Sequence, residues 1–239
     1  MTGTYSGIVK DLKSYIQPEK SAFLPRFFKT GKGQYAEGDL FHGIVVPDQR
    51  IVAKRQFAST TKETIIQLLD SPYHEERLTG LFILCLHFNR ARQTGDEKIW
   101  FDLYVSKADR VNNWDLVDSS AHIIMGAYLE NRDRGLLYTF ASSSSLWKNR
   151  IAVVSTWYFI RKNDLKDILQ LSEMLMHHPH DLMHKAIGWM LREAWKRDSL
   201  AIEEFLDEHA AIMPRTMLRY AIEKMDDKTR QIYLLKRKK

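Results

Sequence analysis

The sequence predicts an all-α fold, a solenoid of stacked helix pairs, and three observations carry that expectation. Strand signals are scarce: the 239 residues include only 11 Gly and 6 Pro, and no run alternates cleanly between turn residues. Apolar residues recur instead at helical spacing, as in Ile65, Ile66, Leu68 and Leu69, and then Leu78, Leu81, Phe82, Leu84, Cys85 and Phe88. Finally, Arg77, Trp114, Arg150, Lys185 and Arg215 each open a small or apolar run, at intervals of 37, 36, 35 and 30 residues. A period in the mid-thirties is the length of a helix-pair repeat, which buries its apolar face only by stacking on its neighbours. The expected architecture is a curved, HEAT-like α-solenoid with a concave basic face, forming one domain over residues 1–239.

Residues 1–45 read as an opening helical hairpin and a loop, because TGKGQYAEGDLFHG (30–43) is polar and glycine-rich. GKGQYAEG lacks the G-x-x-x-x-G-K-[ST] order of a phosphate loop. Residues 46–230 hold the regular repeats, with ETIIQLLD, DEKIWFDLYVSK, GLLYTFASSSSL, LKDILQLSEMLMHH and AIEEFLDEHA as the partner helices. IAVVSTWYFI (151–160) is apolar nearly all round and reads as one buried helix. SSSS (142–145) is an inter-helix turn. MHHPHDLMH supplies His177, His178, His180 and His184, but without Cys, without H-E-x-x-H, and interrupted by Pro179, it reads as an exposed loop rather than a zinc site. Residues 231–239 read as a solvated basic tail.

The charge balance is 36 Lys+Arg against 30 Asp+Glu, with a pI near 9.2, which is compatible with a polyanionic partner. MTGTYSGIVKDLKSYI has no apolar run after a basic segment, and nowhere do 18 uncharged apolar residues run together. No secretory signal and no membrane span are therefore expected. The single cysteine, Cys85, excludes a disulfide framework and suits a reducing cytoplasm as a small buried hydrophobe. Helix N-termini carry partial positive charge, so Arg or Lys there opposes the dipole but adds to it as an anion site. If Arg77, Arg150, Lys185 and Arg215 start successive inner helices, they form a stripe able to follow a phosphate backbone. The alternative is that each pairs with an acidic residue of the neighbouring repeat.

The segment NNWDLVDSS (112–120) asks for a further explanation. Asn112 or Asn113 caps a helix, and the dipole accounts for Asp115 in its first turn. Neither accounts for Asp118, which shares a helical face with Trp114 and heads into a buried segment. A carboxylate there must find partners or do a job.

W-D-x-V-D at 114–118, R-x-A at Arg150, K-A-I-G-W-x-L-R-E at 185–193 and GDLFHGIVVPDQRIVAK at 38–54 together resemble the AlkD family of DNA alkylation-repair glycosylases. The resemblance runs from about residue 20 to 225 and implies a HEAT-like solenoid that cradles duplex DNA. It also implies hydrolysis of the N-glycosidic bond of cationic N3- and N7-alkylpurines, without metal or cofactor. Carried over motif by motif, it implies that Asp118 is the catalytic carboxylate. Trp114 and Trp189 would then be the indoles flanking the lesion nucleotide, and Arg150 the arginine near its backbone. Lys185, Arg77 and Arg192 are expected as further backbone contacts. A further aromatic of the family's N-terminal hairpin has no settled position, with Phe28 one candidate. The expected protein is a monomeric, cytoplasmic enzyme associated with the nucleoid through DNA. Its alternative is a non-catalytic HEAT-repeat binder of damaged or branched DNA, followed by a protein-interaction solenoid. Trp114, Asp118 and Trp189 should line one concave cleft, with Arg150 at its rim.

Overall fold

A computed structural model describes residues 3–236, and among them every regular element is helical. The only strand-like feature among the described residues is an isolated bridge between Leu40 and Tyr73. The chain divides into two compact units, one ending at Ser120 and the other beginning at Ala121.

The first unit contains α1 (Tyr5–Lys13), α2 (Pro18–Phe27), α3 (Val46–Gln56), α4 (Lys62–Asp70), α5 (His74–Ala91), α6 (Lys98–Ser106) and α7 (Trp114–Asp118). Start signals written in the sequence fix several of these. The Thr4 hydroxyl accepts from Gly7 N, and the Thr61 hydroxyl accepts from Thr64 N. Pro18 opens α2, where its missing N–H costs nothing. The central element is α5, which packs against α3, α4, α6 and α7 and is buried almost all round. Gly80 lets α4 approach closely, since a Cβ there would stand 2.9 Å from the Leu68 Cβ.

The second unit begins with a π-helical turn, His122–Gly126, and continues through α8 (Gly135–Ala141), α9 (Leu146–Ser155), α10 (Trp157–Ile160), α11 (Lys166–Leu175), α12 (Asp181–Trp195), α13 (Ser199–His209), α14 (Arg215–Ala221) and α15 (Asp227–Leu235). Sequence neighbours pack together, and so do helices one pair apart, as with α9 on α12 and α12 on α14. That double pattern is the packing of stacked helix pairs. Two glycines permit it: a Cβ at Gly126 would lie 2.3 Å from the Ser155 carbonyl oxygen, and one at Gly188 would lie 2.4 Å from that of Met217.

Three elements differ from the sequence expectation. IAVVSTWYFI is two helices, broken at Thr156. The expected basic tail is helical as far as Leu235, and its residues 237–239 lie outside the described residues. The histidine segment differs only in part: His177, His178 and His180 lie between α11 and α12 as expected, while His184 is within α12, and His180 Nδ1 accepts from Leu182 N at 3.1 Å. Among the described residues no helix is long and apolar enough to cross a membrane.

Candidate functional site

In the first unit, Asn113 is the cap of α7, its side chain accepting from Trp114 N at 2.8 Å. One turn of α7 therefore carries Trp114 and Asp118 on a common face, and both are half-buried. Trp114 lies 5.4 Å from the Phe28 ring in a stacked arrangement and 6.0 Å from Phe27 edge-on. Phe28 is only 6% exposed, whereas Phe27 is 48% exposed and stacks on Phe23, which is 53% exposed. The aromatic beside Trp114 that faces solvent is thus Phe27, while Phe28 is its buried backing. None of α2 is buried, so its exposed phenylalanines are a signal legible only once the helix is seen to lack a core face. Close to Asp118 lies the fully buried Tyr104, whose hydroxyl shares a 3.1 Å hydrogen bond with Ser120 Oγ. Burial, with a smaller contribution from the Asp118 charge, holds the Tyr104 phenol above its ordinary value.

Asp115, expected as a dipole partner alone, is more than that. Its Oδ1 accepts from Leu116 N, and its Oδ2 lies 2.8 Å from His74 Nε2. His74 Nδ1 faces Asp39 at 3.4 Å, and Asp39 pairs with Arg77 at 2.7 Å. Burial by itself would lower the His74 pKa. The Asp115 and Asp39 carboxylates outweigh it and hold the imidazole up near about 9, so the ring is a cation at neutral pH. Phe28 and Phe41 lie over that ring at 4.7 and 4.8 Å. The motif F-x-G at 41–43 thereby gains a structural meaning. Phe41 covers the imidazolium, and Gly43 takes φ +90 where a Cβ would strike Ser21 and Gln17. The next acidic residues continue the network: Glu75 accepts from His42 N, Gly43 N and Ile44 N, and Glu76 from Tyr5, Ser71 and His42.

This network overturns the reading of Arg77 as a backbone contact. Arg77 is 1% exposed, pairs with Asp39 and donates to the Ser71 carbonyl, so no phosphate can reach it. It is the neutralising partner of a buried acidic cluster, the structural alternative that a basic residue in a repeat always carries. Cys85 is likewise buried, which pushes its thiol up to about 12 and leaves no thiolate for chemistry.

In the second unit, Arg150 is also corrected. It lies a turn inside α9 rather than at its start, is 5% exposed, and donates to the Leu182 carbonyl at 2.6 Å. It anchors the first turn of α12, the helix that carries Lys185, Trp189 and Arg192. Lys185 is accessible and pairs with Asp181 at 2.9 Å, which keeps that carboxyl below its ordinary value. Arg192 is part-exposed and is engaged by Glu223 and by Glu193. Arg215 donates to the Leu234 carbonyl. Trp189 is half-buried and is joined by a tryptophan that the motifs did not single out: Trp157 lies 5.2 Å from it and 4.6 Å from His122. Trp114 and Asp118 belong to the first unit, and Trp189 and Arg150 to the second. Among the described residues no group of three or more His, Cys, Asp or Glu could hold a metal ion.

Comparison with known proteins agrees with the helical architecture. A solved structure described as a predicted DNA alkylation repair enzyme from Enterococcus faecalis superposes with a TM-score of 0.66 at 18% identity, covering 89% of this chain and 97% of that one. At that identity the likeness establishes the fold alone. No curated protein matches the chain. The family described as DNA alkylation repair enzyme matches residues 8–225, nearly the whole sequence, so the chain belongs to that family of DNA alkylation repair proteins.

Proposed function

We propose that the protein is a monofunctional DNA glycosylase that releases 3-methyladenine and 7-methylguanine, cationic N3- and N7-alkylpurines, from duplex DNA. The observation that carries this reading is the setting of Asp118. It is half-buried, one turn after Trp114 on the same face of α7, whereas Asp115 is buried.

The chemistry asks for those residue types. Alkylation at N3 or N7 makes the purine a cation, so the leaving group needs no protonating acid. As the glycosidic bond breaks, the deoxyribose becomes oxocarbenium-like and a water must capture it. The Asp118 carboxylate stabilises the developing positive charge and orients or deprotonates that water. The Trp114 face, backed by Phe28, favours a cationic base or sugar over a neutral one by about 0.5–2 kcal/mol. Phe27 extends the same aromatic surface toward solvent. In the second unit Trp189 offers a further indole, and Lys185 gives backbone affinity without sequence preference. Arg150 acts through Leu182, as a positioning residue for α12. The reaction calls for no cofactor.

The test is release of free 7-methylguanine and 3-methyladenine from methylated duplex DNA by wild type and by Asp118→Asn. The expected outcome is release by wild type and a loss of about 100-fold or more in the variant, with duplex binding retained. Release at the wild-type rate by Asp118→Asn would remove Asp118 from the mechanism. No release by wild type, with salt-sensitive binding, would make the chain a non-catalytic binder of damaged DNA.

A further inference from the structure

Trp157 and Arg161 play no part in the mechanism above, yet the fold arranges them with some care. Ser155 Oγ donates to the Ile151 carbonyl and Thr156 Oγ1 to the Val153 carbonyl, each at 2.6 Å. These local bonds compete with continuation of the helix, and α9 ends there. The four-residue α10 then starts on Trp157, half-buried between His122 and Trp189. One turn later Arg161 lays its guanidinium over the indole, 5.2 Å from the Trp157 ring centre and 5.7 Å from that of Tyr158.

What separates Arg161 from other arginines of this unit is its partners. Arg134 is spent on Asp164 and Asp167, Arg192 on Glu223, Arg230 on Asp227 and Arg150 on a carbonyl. Among the described residues no carboxylate pairs with Arg161 or with Arg197. Both line a cleft of about 280 Å³ together with Trp157, Ile160, Glu193 and Lys196. Glu193 is answered by Lys196 and Arg192, so the cleft presents two uncompensated guanidinium groups beside an indole. A guanidinium that answers no carboxylate keeps its N–H fork available, and that fork matches two phosphate oxygens.

We propose that Trp157, Arg161 and Arg197 form a backbone subsite for duplex DNA, in which the guanidinium groups take a phosphodiester and the indole takes the adjoining deoxyribose. The subsite rests on the reading of the chain as a DNA-acting enzyme and adds to it residues that the family motifs do not include. Its contribution is salt-dependent from the arginines and salt-independent from the indole, because only the former releases counterions.

The experiment measures anisotropy of a fluorescein-labelled, unmodified duplex titrated with the full chain at several salt concentrations. Arg161→Gln is expected to weaken binding about three- to tenfold and to flatten the slope of log K against log salt by about 0.9. Trp157→Leu is expected to weaken binding about fivefold or more with the wild-type slope, and Trp157→Phe to restore most of it. Lys98→Gln, which removes one exposed charge paired with Asp102 in the first unit, is the control for net charge and should change neither quantity. Urea midpoints equal to wild type establish that each variant is folded. Wild-type affinity and slope in folded Arg161→Gln, with wild type binding the duplex salt-sensitively, would overturn the subsite and leave the proposed function standing. No salt-sensitive duplex binding by the wild type would overturn both.

Discussion

Asp115 and Asp118 stand three residues apart on α7, the first buried and the second half-buried. Asp115 is buried against the His74 imidazolium, which burial alone would discharge and which two carboxylates keep charged. Because the folded pKa of about 9 lies above the ordinary value of 6.5, the stabilisation from His74 is complete below about 6.5. It is then lost as pH rises through about 9. Asp39 sets the other boundary. Burial would raise its carboxyl, but the His74 hydrogen bond and the Arg77 charge hold it below its ordinary value, so its contribution is lost only as pH falls through that lowered value. Urea midpoints of wild type and His74→Gln, compared between roughly pH 6 and pH 10, should converge by on the order of 2–3 kcal/mol toward high pH. A difference that stays constant across that range would show that His74 does not carry the charge. Arg77 belongs to the same cluster. Arg77→Met should cost about 3–5 kcal/mol in an equilibrium unfolding measurement, because it leaves Asp39 charged, buried and short of a partner. A loss under about 1 kcal/mol would return Arg77 to the surface role first expected of it.

Among the elements, a buried serine stands at or beside two helix ends. Ser120 Oγ donates to the Leu116 carbonyl at 2.6 Å and Ser155 Oγ to the Ile151 carbonyl at the same distance, 35 residues later. Regular α-helix ends near each of them, at Asp118 and at Ser155. In α12 the same position, a further 35 residues on, is Met190, and that helix runs unbroken from Asp181 to Trp195. A hydroxyl that satisfies the carbonyl four residues back loosens the ladder, and a thioether cannot. The glycine in K-A-I-G-W also has its reason at this scale. A Cβ at Gly188 would stand 2.4 Å from the Met217 carbonyl oxygen and 2.5 Å from the Tyr220 Cβ, so α12 and α14 can meet only over a bare backbone. Gly188→Ala should therefore destabilise by about 1–3 kcal/mol despite its better helix propensity, read as a shift in the urea midpoint. A stabilised variant would mean that the two helices separate at little cost.

For the molecule as a whole, the mid-thirties period and the 3.6-residue apolar spacing made the all-helical class legible, since both follow from local backbone geometry. The cap of α7 was legible too, the sequence offering Asn112 or Asn113 and the structure taking Asn113. The net charge of +6 was a poorer guide, because it counts cations without saying which are already answered. Arg77 and Arg150 looked like members of one basic row with Lys185 and Arg215, and the fold turns the first two to a buried ion pair and a backbone carbonyl. Arg161 and Trp157, in no motif, are the pair left facing a cleft. The sequence by itself determined the helical class and the place of W-D-x-V-D at a helix start, both of which depend on residues within a turn or two of each other. Tertiary structure alone decided which charges are spent, because Asp39 and Arg77 lie 38 residues apart, and Arg150 and Leu182 lie 32 apart. Pairing at such separations is set by how helices stack, and no local pattern encodes it.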